Sequence, residues 1–268
     1  MLMPNPCDQK ALLAEQYEDA GNLGARIALH DRFSTNRHGW HRWVFDQLRV
    51  PSRSKILELG CGSGSLWAKN ADRIPGDWTI ILSDLYAGMI KQAKAILSHS
   101  RISFAFGQID AQFIAIADET VDVVIANHML YHVPDRPKAY SEIYRFLRPN
   151  GQLYAAANGI TASAGIPDLV KQIKPDAYDD IPGSTSSFGL KTGASELSIW
   201  FADIEVLNYK DSLLITEVEP LVDYVKSTQR LNEAELGEFR VLVQAEISRN
   251  SEICIPKNAG LFKASKVL

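Results

Sequence analysis

An α/β fold, with helices covering both faces of a parallel sheet, is the class this sequence predicts, and three observations predict it. Beyond Pro51 five short apolar runs alternate with longer stretches of helical spacing, the trace left by strands that pair in parallel through helical crossovers. The first of those runs leads straight into three alternating glycines. The chain has 268 residues, 46% apolar and 22% charged, enough for a sizeable core and far from the composition of disordered chains.

The amino-terminal portion reads as helical. Asp8 to Asp19 places Leu12, Leu13, Gln16 and Tyr17 on one side and is expected to close at Gly21, and helical spacing resumes over Asn22 to Leu48 with breaks at Ser34 to Asn36 and at Gly39. The five runs that follow are Ile56 to Leu59, Trp78 to Leu82, Ile102 to Phe106, Val121 to Ala126 and Gln152 to Ala157. Helices are expected at Ser65 to Ile74, Tyr86 to Ser98 and Arg136 to Leu147, with Arg148-Pro149-Asn150-Gly151 as a turn into the fifth strand. Thr161 to Gly193 is rich in Gly, Ser, Pro and Asp and reads as an insertion or flexible cover. A helix at Ala194 to Phe201, a strand at Ile204 to Tyr209, helices at Glu219 to Ser227 and Asn232 to Arg249, and a strand at Gly260 to Val267 complete the expectation.

Ile56-Leu57-Glu58-Leu59-Gly60-Cys61-Gly62-Ser63-Gly64 carries the strongest signal. Glycine has no Cβ, so such a loop can take left-handed dihedrals and let a ligand lie against backbone amides. The dinucleotide fingerprint wants Gly or Ala at the sixth place, where Ser65 stands, and no Gly-Lys-Ser/Thr follows to make a P-loop. Twenty-two residues beyond Gly62, Asp84 ends the second run. A carboxylate at that place can accept hydrogen bonds from both hydroxyls of a ribose.

With these motifs the stretch from Ser54 to Ala157 resembles the class I S-adenosylmethionine-dependent methyltransferases. The resemblance implies a Rossmann-like, doubly wound, seven-stranded sheet, mainly parallel, with the terminal strand inserted antiparallel, plus amino-terminal helices and a helical cap. It implies S-adenosyl-L-methionine as cofactor, held by Glu58, Gly60, Cys61, Gly62 and Gly64, by Asp84 on the ribose, by Leu85 against the adenine and by Asp110 and Ala111 after the third strand. The fourth signature is similar to Ala126-Asn127-His128-Met129-Leu130-Tyr131-His132-Val133, which brings in Asn127. The implied division is 1–50 as a helical lid, 51–160 as the cofactor core, 161–202 and 217–250 as substrate cap, and 203–216 with 259–268 as the last strands.

Methyl transfer needs the acceptor lone pair in line behind the carbon, so positioning and exclusion of water carry much of the acceleration. A hydroxyl or carbon acid also needs a base, and His128 and His132, after the fourth strand, are the candidates. Their i, i+4 spacing invites a zinc reading, but Met129 replaces the glutamate such a motif requires and no third ligand follows, so no metal is expected. Tyr17, Asn36, Trp40 and Tyr131 are candidate substrate or lid residues, since aromatic faces attract a sulfonium. For Trp40 the competing reading is an anchor of the lead-in helices to the core.

The 28 basic and 32 acidic residues leave a net charge of −4, which does not favour a nucleic-acid partner. An Asp/Asn-Pro-Pro-aromatic motif and a Pro-Cys nucleophile are both missing after the fourth strand. A small-molecule acceptor is therefore expected, whether O-, N- or C-methylated. The alternatives are a non-methylating reaction such as cyclisation on the same cofactor-binding fold, a non-catalytic S-adenosylmethionine-binding module, and a nicotinamide-dependent oxidoreductase. Three cysteines without metal-type spacing, and no long apolar or export segment, lead to the expectation of a cytoplasmic protein with no membrane partner.

Overall fold

The computed structural model describes residues 20–159, 165–178 and 188–267, with side chains from residue 24 onward. Seven strands form one sheet in the order β3-β2-β1-β4-β5-β7-β6. They are β1 Lys55–Leu59, β2 Thr79–Asp84, β3 Phe104–Gln108, β4 Val121–Asn127, β5 Leu147–Asn158, β6 Ala202–Ile215 and β7 Ile253–Ser265. β1 to β5 pair in parallel. β7 runs antiparallel to β5, with Ala155 opposite Phe262. The implied seven-stranded, doubly wound arrangement with one inserted strand is therefore present.

Burial on both faces explains why the central strands are unbroken apolar runs. Alternate side chains of one strand serve opposite layers. Leu57 and Leu59 join Val124, Ala126 and Leu153 beneath helix Arg136–Phe146, through its Tyr140 and Ile143. Ile56 joins Val123, Ile125 and Tyr154 on the other face, beneath Trp67 and helix Ala87–Leu97, through its Ile90 and Ala93. Successive crossovers build outward from β1 in one direction to β3, and from β4 in the other to β5. The order reverses between β1 and β4, and their carboxyl ends flank the crevice where such sheets hold ligands.

The described residues divide into two compact units. Among the described residues, one contains the sheet core and draws on 40–159, 188–209 and 259–267; the other draws on 20–39, 165–178 and 210–258. The second has its own core, where Leu29 and Phe33 meet Val170, Leu221, Phe239 and Ile255. Within it the buried Asp211 side chain accepts from the Ser34 hydroxyl at 2.7 Å, the Asn36 amide at 3.0 Å and the Lys257 ammonium at 2.6 Å.

Several expectations need correction. Helix Ala20–Phe33 runs through Gly21, which therefore ends no helix; the expected helix Asp8 to Asp19 lies outside the described residues. The helix expected over Ser65 to Ile74 stops at Ala68. The cause is Asn70: its Nδ2 donates to the Leu66 carbonyl at 2.7 Å, while its own amide turns to the Trp67 carbonyl, so a side chain takes the acceptor that a further helical turn needs. The turn at Arg148 to Gly151 is instead an irregular start to β5, where Asn150 has φ +63° and the register with β4 shifts. The stretch read as a cover contains helix Gly165–Ile173, with Ile166 and Val170 buried. The helix expected over Ala194 to Phe201 spans Gly193–Leu197, whereas β6 and β7 are longer than expected, reaching Ile215 and starting at Ile253.

Candidate functional site

The glycine loop leaves the end of β1 with φ of +68° at Gly60, +54° at Gly62 and +76° at Gly64. A Cβ on Gly60 would stand 2.7 Å from the Met129 Cβ, so that glycine allows the loop to pass against the segment after β4. A Cβ on Gly62 would meet nothing within 4 Å. The Cys61 amide donates to the Ser83 carbonyl at 2.8 Å, which ties the loop to the end of β2. Cys61 itself is buried, and burial pushes its thiol pKa upward, with Glu58 and Asp84 adding to the rise.

Asp84 is the hinge of this arrangement. Its Oδ2 accepts from the Gly62 amide at 2.9 Å and its Oδ1 from the Tyr86 amide at 3.0 Å. Each carboxylate oxygen has two lone pairs, so acceptor capacity remains. Burial raises the Asp84 pKa, and the amides of Tyr86 and Gly62 pull against that rise. The neighbouring Leu85 is half-buried, and its carbonyl accepts from Gln108 Nε2 at 2.8 Å. Asp110 closes a local turn, its Oδ1 accepting from the amide and the side chain of Gln112, and Ala111 is buried among core residues. A hollow of about 400 Å³ lined by Ala87, Lys91, Lys94, Phe106 and Gln108 lies beside β3, without the glycine loop in its wall.

Glu58 is enclosed near the end of β1. Only 2% of it is exposed. Its Oε2 accepts from the Trp67 indole at 2.6 Å, and the Asn127 side chain donates to the same carboxylate. Burial lifts its pKa from 4.5 to about 8, against the two hydrogen bonds and with a further push from Asp84. Asn127 ends β4, and its Oδ1 is buried without a hydrogen-bond partner. A buried acceptor of this kind is costly unless a donor arrives. That orphaned oxygen, together with the open face of Gly62, fits a ligand that brings hydrogen-bond donors to the crevice.

His128 follows with φ +52°, a conformation that is strained for a residue carrying a Cβ and that tends to accompany functional sites. Its amide donates to the Ala156 carbonyl at 3.1 Å, and its ring lies 4.9 Å from Trp40. Leu130–His132 form a single 3-10 turn, with the rings of Tyr131 and His132 4.4 Å apart. The left-handed residue and the tight turn mean that His128 and His132 do not share the face of an α-helix, which removes the geometry of a helical zinc pair. Trp40 also meets Tyr209 edge-on at 5.2 Å and Trp43 at 5.3 Å.

The structure thus gathers Glu58, the glycine loop, Asp84 and Asn127 through direct bonds, and sets Trp40 against His128. The Asn36 Nδ2 donates to the Lys210 carbonyl and its Oδ1 accepts from the His38 amide. Tyr17 lies outside the described residues. Sequence reasoning missed Trp67, Met129 and Tyr209 as parts of this region. Of these only Trp67 left a signal, an aromatic nine residues beyond Glu58 on the far side of the loop.

Comparison with known proteins adds the following. Residues 57–155 match the family described as a methyltransferase domain. The ubiquinone/menaquinone biosynthesis C-methyltransferase UbiE of Methylococcus capsulatus is 30% identical over 133 residues, covering 48% of this chain and 54% of that protein. The arsenite methyltransferase of Halobacterium salinarum is 28% identical over 189 residues, covering 63% and 47%. The chain spans about half the length of these curated relatives. Among solved structures, YcgJ of Bacillus subtilis shares the fold with a TM-score of 0.58 at 14% identity, over 85% of this chain and 98% of that one. The [4+2]-cyclase SpnF shares it at 0.54 and 16%, over 85% and 80%.

Proposed function

We propose that this chain, which belongs to the class I S-adenosylmethionine-dependent methyltransferases through its residues 57–155, moves the methyl group of that cofactor onto a small-molecule acceptor. Bound S-adenosylmethionine supplies a methyl carbon made electrophilic by the positive sulfur. The chain's own part is to hold and orient. Gly60, Gly62 and Gly64 offer bare backbone at the end of β1, the spare lone pairs of Asp84 accept the ribose hydroxyls, and Leu85, Asp110 and Ala111 frame the adenine. The observation that carries this reading is the Asp84 carboxylate bonded to the Gly62 amide beside a loop face that is open above Gly62. His128 and His132 serve as candidate bases that take a proton from the acceptor at an imidazole nitrogen, with Trp40 shielding His128 from water and Tyr131 lining the acceptor side. The quinone and arsenite enzymes among the relatives favour a small acceptor. Its recognition is assigned to segments outside the shared domain, within 161–202 and 217–250.

Titration of the ligand-stripped protein with S-adenosylhomocysteine tests the first half of this reading, since saturable binding at one site per chain is expected. Transfer of labelled methyl to members of a metabolite library tests the second. Binding without labelled product from any acceptor would favour a non-methylating reaction or a sensor, and no binding would remove the reading. Replacing His128 or His132 by Gln should lower the transfer rate at neutral pH about a hundredfold at the base position.

A further inference from the structure

The buried carboxyl of Glu58 is enclosed, and both side chains that donate to it are neutral. Its neighbours are the Trp67 indole, the Asn127 carboxamide, the Asp84 carboxylate and the Cys61 thiol. None of these is a cation. A carboxylate enclosed in this way is poorly stabilised. The Asn127 carboxamide has two faces: while Nδ2 donates to Glu58, Oδ1 is left without a donor. A protonated Glu58 reverses the preference, since its O–H can donate to Oδ1 once the amide turns over.

We propose that Glu58 is a positioning residue whose protonation state sets the orientation of the Asn127 carboxamide, and that ligand binding in the glycine-loop site expels one proton from this pair. The inference rests on the functional reading above. In the ligand-free protein at neutral pH the Glu58 carboxyl is mostly protonated, in line with its raised pKa of about 8. A ligand that brings positive charge and N–H donors satisfies Oδ1 and favours the ionised acid. The O–H bond of the carboxyl breaks, its electron pair stays on the carboxylate, and the proton passes to buffer.

Calorimetry of S-adenosylmethionine and S-adenosylhomocysteine binding to the whole chain, in phosphate and in Tris at the same pH, counts the protons exchanged. Net proton release is expected at pH 7 and should shrink as pH rises, with affinity increasing with pH and then levelling. Glu58→Gln should abolish the release and flatten the affinity profile. Saturable binding with no proton exchange at pH 7, or an undiminished release from Glu58→Gln, would overturn the proposal. Should Glu58→Gln not fold, the wild-type proton count against pH decides alone. Failure of both ligands to bind would instead strike the functional reading, so the two failures are distinct.

Discussion

Two alanine substitutions in the glycine loop separate its structural duty from its binding duty. Both Gly60 and Gly62 have left-handed backbone, at φ +68° and +54°, and an L-residue there costs about 1–2 kcal/mol. At Gly62 that is the whole structural penalty, because the added methyl meets nothing within 4 Å. At Gly60 the methyl would lie 2.7 Å from Met129 Cβ and 3.0 Å from its Cγ. A Cβ is fixed to its backbone and cannot swing aside, so overpacking adds about 1–3 kcal/mol. Urea denaturation should therefore show Gly62→Ala destabilised by about 1–2 kcal/mol and Gly60→Ala by about 2–5 kcal/mol. S-adenosylhomocysteine titration of the sturdier variant is the more telling assay. Gly62→Ala, the less destabilised of the two, should lose at least about tenfold in affinity because its methyl occupies space a ligand needs. If it binds within twofold of wild type, the loop is not the cradle; if Gly60→Ala is no less stable than Gly62→Ala, the Met129 contact does not have the weight given to it.

Three further outcomes are expected. A carboxyl whose folded pKa lies above its unfolded value holds an extra proton when native, so the stability attached to Glu58 is present below about pH 4.5 and is lost as pH rises to about 8; the unfolding free energy from urea denaturation should fall over that window by an amount on the order of several kcal/mol, and Glu58→Gln should remove the slope. Asp84→Asn keeps the shape but replaces one charged acceptor of the Gly62 and Tyr86 amides, and should weaken S-adenosylhomocysteine binding by about ten- to a hundredfold in calorimetry; an unchanged dissociation constant would exclude a ribose role. Asp211→Ala strips the Lys257 ammonium, the Ser34 hydroxyl and the Asn36 amide of their shared acceptor and should cost about 3–5 kcal/mol in denaturation, with a loss below 1 kcal/mol contradicting the buried pairing.

What could be read from the letters follows from how locally each feature is encoded. The central strands were legible because Ile56 to Leu59 and Val121 to Ala126 are buried on both faces and so lack polar interruptions. The helix after the glycine loop was misjudged because apolar spacing cannot reveal that the Asn70 side chain will take the Leu66 carbonyl. The left-handed glycines and the place of Asp84 at the end of β2 were legible because a strand end and a fixed spacing mark them. The pairing of Trp40 with His128, and of Glu58 with Trp67 and Asn127, depends on chain crossovers, which no local pattern announces. The bond from Asn36 Nδ2 to the Lys210 carbonyl is likewise invisible locally, because its partner lies far along the chain.

Both compact units are assembled from three separated stretches of chain, and β6 and β7 each begin in one and finish in the other. No single cut can excise either unit, and no single crossover in recombination can transplant the smaller one intact. Replacing the smaller unit by a relative's counterpart would demand three coordinated exchanges of sequence.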